Sequence, residues 1–195
     1  MPFATPVGPL QLGVFFALSL VFFAYLIRAY FRREAEGGAR LDGRSRLGIL
    51  LQTIAFFIAG LGNARPTLAA TEPLALIGLA LVILFMGGAI ALFAASTSAL
   101  GRNWSIVARM RSDHELVRTG PYRRIRHPIY LGMLLFLFGM AAALGHWLQL
   151  IIALPLFLIG TANRIRVEDQ LLADSFGHAF NAYRDSTPAI IPKLF

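Results

Sequence analysis

The chain has no cysteine, a single lysine and only ten acidic residues in 195, and none of its longest apolar runs carries a charge. Without cysteine there is no disulfide framework, no thiolate metal site and no thiol nucleophile, so chemistry through sulfur ligands is excluded. The shortage of charge, 14% of residues against 57% hydrophobic, lies far from the composition of soluble domains. The apolar residues are therefore expected to face lipid.

Runs from Pro9 to Ile27, Leu47 to Asn63 and Pro73 to Gly101 contain no internal charge, and each approaches or exceeds the ~20 residues that cross a hydrocarbon core. Another uncharged stretch, Pro128 to Asn163, is long enough for two crossings joined by a turn near Gly145, His146 and Trp147. The first run is too long for a signal peptide and lacks its basic start and cleavage site, so it is expected to remain as a membrane helix. The fold class expected is all-α, a polytopic membrane protein with about five transmembrane helices. Residues 1–100 hold helices one to three. Residues 101–195 hold a cap, the hairpin of helices four and five, and a C-terminal amphipathic helix, all in one integrated domain.

A net charge of +8 suggests nucleic acid, but the basic residues sort by loop. Six arginines (Arg28, Arg32, Arg33, Arg40, Arg44, Arg46) follow helix one and seven, from Arg102 to Arg126, follow helix three. Arg164, Arg166, Arg184 and Lys193 follow helix five, while the alternate connections hold only Arg65. The positive-inside rule then places the N-terminus outside, the C-terminus inside, and the basic loops in the cytoplasm. No nucleic-acid partner is implied.

The connector from Arg32 to Arg46 reads as solvated, without chemistry. Helix three carries Gly87, Gly88 and a row of alanines and serines, which suit close helix packing. Trp104, Ile106, Ala108 and Met110 alternate like a short extended piece before a turn at Arg111, Ser112 and Asp113. After helix five, Val167, Leu171, Leu172, Phe176, Phe180 and Tyr183 recur at helical spacing, as if that helix continued beyond the membrane. Arg118, Arg123 and Arg124 suit lipid headgroups, and His146 beside Trp147 reads as an interfacial anchor.

Two polar strings carry chemistry: "DHELVRTGPYRRIRHPIYLG" before helix four and "NRIRVEDQLLADSFGHAFNAYRDSTPAIIP" after helix five. A helical hairpin brings them together, placing Arg126, His127 and Tyr130 near Arg164, Arg166, Glu168 and Asp169. Convergent polar groups in an apolar protein mark a functional site.

These strings resemble the integral membrane methyltransferases that include isoprenylcysteine carboxyl methyltransferase and phosphatidylethanolamine N-methyltransferase. The resemblance rests on His114, Leu116, Val117, Gly120, Pro121, Tyr122, Arg126, His127, Pro128, Tyr130 and Gly132, then on Glu168, Asp169, Leu171, Phe176, Gly177, Tyr183, Pro188, Ile191 and Pro192. It covers roughly residues 100–195. It implies S-adenosyl-L-methionine as cofactor, bound between the cap and helices four and five by His114, Leu116, Val117, Gly120, Tyr122, Arg126, His127, Pro128, Tyr130, Gly132, Glu168 and Asp169. A carboxylate and aromatic faces suit the cationic end of that cofactor, and Arg126, His127 and the start of helix four suit its carboxylate.

Arg164 and Glu168 are the expected catalytic residues, with Asn103, Trp104 and Arg164 on the substrate. The reaction expected is methyl transfer to a lipophilic acceptor, a carboxylate of an isoprenylcysteine-like molecule, at the cytoplasmic face of a bacterial inner membrane. The alternative is N-methylation of an ethanolamine-type phospholipid, for which Glu168 or His127 would serve as base. A third reading is a non-catalytic membrane protein, or a relative of the membrane sterol reductases. No metal is expected.

Overall fold

The computed structural model of the chain describes residues 4–32, 40–41, 43–104, 109–110 and 115–190. His114, Ile106, Ala108, the turn at Arg111 to Asp113, Ile191 and Pro192 lie outside the described residues.

Five apolar helices form the body: α1 (Pro9–Arg32), α2 (Ser45–Gly60), α3 (Pro73–Leu100), α4 (Pro128–Leu144) and α5 (Trp147–Phe176), followed by α6 (His178–Ser186). Among the described residues the fold is helical apart from an antiparallel pairing of two-residue strands, β1 (Arg40–Leu41) with β2 (Arg109–Met110), and an isolated parallel bridge between Pro6 and Arg65. That pairing ties the connector after α1 to the cap, where sequence suggested only a solvated linker. Three helices, Pro9–Phe31, Pro73–Leu100 and Trp147–Phe176, are long and apolar enough to cross a membrane. The other two apolar helices, α2 and α4, are shorter, at 16 and 17 residues.

Large side chains on the outer faces, among them Leu20, Phe31, Leu74, Leu84, Ile151 and Ile152, are more than half exposed. This is the inverted surface of a protein whose solvent is lipid. Inside, α2 packs along α5, α3 along α4, and α1 against α3. The small residues of α3 serve packing. Ala89 is fully buried, and a Cβ on Gly132 of α4 would sit 3.3 Å from its carbonyl oxygen. Phe22, Phe93 and Phe136 join α1, α3 and α4, with ring centroids 4.8 Å apart from Phe22 to each of the others.

The α4–α5 turn is built on Gly145, at φ +71°. The Thr5 amide donates to the Gly145 carbonyl at 2.9 Å, and the Val7 amide donates to Arg65 O at 2.9 Å. The N-terminal segment thereby straps two connections at this end. His146 is fully buried here, not an exposed interfacial anchor, and its Nδ1 lies 2.9 Å from the Ala59 carbonyl oxygen. At the other end, α5 does not run on as one amphipathic helix. It stops at Phe176 because Gly177 adopts φ +52°, and α6 turns back to bury Phe180 and Tyr183.

Candidate active site

His127 precedes Pro128, whose fixed φ and missing N–H suit the first turn of α4. The backbone amides of Arg126 and His127 donate to Pro188 O and Ala189 O, both at 2.9 Å, so the C-terminal segment after α6 fastens the start of α4. On α5, Arg164 and Glu168 are one turn apart on one face, with Asp169 beside them.

The hairpin unites the two strings. His127 Nε2 lies 2.8 Å from Asp169 Oδ1, and its Nδ1 lies 3.4 Å from Glu168 Oε2. Arg126 Nη2 donates to Asp169 Oδ2 at 3.0 Å, and its Nη1 donates to the carbonyls of Arg184, at 3.1 Å, and Thr187. The Tyr130 hydroxyl donates to Glu168 Oε1. Arg164 Nη2 is 3.6 Å from the same oxygen, with its guanidinium 5.0 Å over the Tyr130 ring.

With a carboxylate near each ring nitrogen, His127 is arranged as an imidazolium. Burial alone would push its pKa down, but Asp169 and Glu168 together outweigh it and leave the pKa raised. Tyr183 donates to the Tyr122 carbonyl at 2.5 Å, and burial above all pushes its phenol up to about 12. It is a structural clamp that stays neutral.

A cavity of about 350 Å³ opens beside this cluster. Its polar side is formed by Arg126, His127, Tyr130, Arg164, Glu168 and Gln52, and its apolar side includes Leu26, Ile49, Phe56, Phe93 and Met133 from four helices. Asn103, Trp104 and Tyr122 also line it. Trp104 packs edge-on to Phe93 at 6.4 Å.

Other residues singled out from sequence sit elsewhere. Leu116 and Val117 are half-buried in the loop before the 3-10 turn Gly120–Arg123, and Gly120, at φ +58°, starts that turn. Gly132 packs against α3 rather than the cavity. Arg166 is exposed: two residues from Arg164 and from Glu168, it is turned about 200° around the helix. Gln52, missed by sequence reading, is 2% exposed in the cavity wall. Its signal was a lone amide inside an uncharged membrane run.

Fold and site together define an all-helical membrane protein with one charged, cavity-lining centre at an end of its α4–α5 hairpin. The chain belongs to the phospholipid methyltransferase family, whose family model matches residues 75–179. It is 29% identical over 154 residues to a cobalt-zinc-cadmium resistance protein of Cupriavidus metallidurans, covering 77% of this chain and 65% of that protein. To the protein-S-isoprenylcysteine O-methyltransferase of Schizosaccharomyces pombe it is 32% identical over 96 residues, 48% of this chain and 41% of that one. The match thus spans less than two-thirds of either relative's length. The solved structure of a eukaryotic intramembrane Ras methyltransferase, isoprenylcysteine carboxyl methyltransferase, shares the fold. Its TM-score is 0.61 at 21% identity, over 95% of this chain and 68% of that one.

Proposed function

We propose that this chain is an S-adenosyl-L-methionine-dependent methyltransferase that esterifies the carboxylate of a lipophilic, isoprenylcysteine-like acceptor. The observation that carries this reading is Arg164. It is a 7% exposed cation in the wall of a cavity whose far side is apolar. Arg126 and His127 are engaged by Asp169, and the Arg164 guanidinium, 3.6 Å from Glu168, lines the cavity itself. In a medium of low polarity a guanidinium in the cavity wall favours an anionic acceptor over an ammonium.

A carboxylate is ionised at neutral pH and needs no base. Arg164 would hold it and the apolar wall would hold its tail, which aligns the nucleophile and excludes water. A phospholipid amine would instead need His127 or the Glu168 carboxylate as base. That carboxylate already accepts from Tyr130 and faces His127 and Arg164.

The cavity's lining suits the cofactor: Arg126 would offer donors to a carboxylate, and the amide of Asn103 an acceptor to an amino group. Tyr122 and Tyr130 offer aromatic faces to a sulfonium. When bound, the cofactor supplies an electrophilic methyl group; His127, Asp169 and Arg126 keep the cavity wall rigid around it. The arginine distribution supports five crossings, with the N-terminus outside and the site at the cytoplasmic boundary of the membrane.

Calorimetry on purified protein in detergent tests the cofactor half: S-adenosylhomocysteine binds, and absence of any heat defeats the reading. Incubation with radiolabelled cofactor and N-acetyl-S-farnesylcysteine tests the acceptor half, with base-labile label expected. If only total membrane lipid is labelled, and the label withstands base, the acceptor is an amine.

A further inference from the structure

Gln52 lies on α2, outside residues 75–179 that match the family model. A buried amide in a membrane helix costs free energy unless both its ends are bonded. Here both are. Gln52 Nε2 donates to Thr161 Oγ1 at 2.8 Å, and Gln52 Oε1 accepts from Arg164 Nη1 at 3.2 Å. Arginine has no acceptor, so the amide oxygen must face Arg164 and the NH2 group must face Thr161.

Two glycines make this reach possible. A Cβ on Gly48, one turn before Gln52, would sit 2.4 Å from Arg164 Cγ and 2.6 Å from Gly160 O, and one on Gly160 would sit 2.8 Å from Gly48 O. At this crossing α2 and α5 meet backbone to backbone, and the side chain of Arg164 leaves α5 past Gly48. A short amide on α2 is therefore enough to grip its guanidinium from the side away from Glu168.

We propose that Gln52 is a positioning residue: with Thr161 it presets the Arg164 guanidinium toward the cavity, so that the acceptor carboxylate meets an already oriented cation. This inference rests on reading Arg164 as the acceptor's cation. It assigns part of the acceptor site to the N-terminal half of the chain, whereas cofactor binding stays with the C-terminal half.

The test compares unaltered protein with Gln52→Glu and Gln52→Leu, using radiolabelled S-adenosylmethionine, N-acetyl-S-farnesylcysteine as acceptor, and calorimetry with S-adenosylhomocysteine. Gln52→Glu keeps the size and the oxygen facing Arg164 but sets a negative charge against it, and KM for the acid acceptor should rise about 10- to 100-fold. Gln52→Leu releases the guanidinium and should lower kcat about tenfold. In both, the Kd for S-adenosylhomocysteine should stay within about twofold. If Gln52→Leu does not fold, the KM of the isosteric Gln52→Glu decides alone. Unchanged KM and kcat in Gln52→Glu overturn the inference and leave the proposed function intact. If the unaltered protein binds S-adenosylhomocysteine yet makes no ester, the carboxylate reading falls and takes this inference with it.

Discussion

At the Gly145 end of the α4–α5 hairpin the chain is closed on neutral backbone carbonyls: Gly145 O meets the Thr5 amide, and Ala59 O meets His146 Nδ1. At the Pro128 end it is closed by charges, with Arg126, His127 and Arg164 set against Glu168 and Asp169 at 2.8 to 3.6 Å. Stability alone does not explain the second arrangement, because well-packed apolar residues commonly match or exceed a buried ion cluster. The neutral end fits a structural clasp. The charged end, which alone borders the cavity, fits a site that must keep polar groups fixed beside an apolar tail.

Substitutions at the two ends should therefore separate activity from stability. The largest effect is expected for Arg164→Ala, which should lower methyl transfer to the acid acceptor by about 10²- to 10³-fold while S-adenosylhomocysteine still binds in calorimetry. Loss of that binding instead would move Arg164 to the cofactor. At the neutral end, Gly145→Ala sets a side chain at φ +71° with its Cβ 2.3 Å from Thr5 O. It should cost about 2 kcal/mol or more of stability, read as a lower melting temperature in detergent. Its cofactor-product affinity should not change. A Gly145 variant that loses affinity in step with stability would break the division between the ends.

The two regions also differed in how far sequence revealed them. Charge-free runs exposed the apolar helices because burying charge in lipid is costly wherever it falls, and hairpin connectivity sufficed to bring Arg126 and His127 to Glu168 and Asp169. Faces were harder. Arg166 was grouped with Arg164 and Glu168 by proximity in sequence, although helical spacing of four residues joins only the latter two. The resemblance assigns Gly132 to the cofactor, whereas its missing side chain lets α4 lie against α3. Gln52 was passed over because its meaning depends on which helix α2 touches, a tertiary fact set by Gly48 and Gly160. The end of α5 was misjudged because apolar periodicity continued through Gly177 while the backbone did not.

The smallest expected effect is in pH dependence, and at the charged end it follows from His127. Burial would lower the pKa of His127, but Asp169 and Glu168 hold the proton and raise it. Arg126 and Arg164 stand behind those acids and do not reverse the direction. The unfolded chain releases this proton near pH ~6.5, so over the interval above that value the native state binds more protons than the unfolded one. Stability then falls as pH rises. The contribution is fully present below the unfolded pKa and is lost as pH passes through the raised native pKa. Melting temperatures in detergent, followed upward from about pH 6 across that interval, should decline by a few degrees for the unaltered protein. His127→Gln, which has no proton to lose, should flatten the slope while starting from a lower value, and Gly145→Ala should start lower with the slope intact. An undiminished slope in His127→Gln would mean that the titrating group is not His127, and that neither ring nitrogen holds its carboxylate through a shared proton.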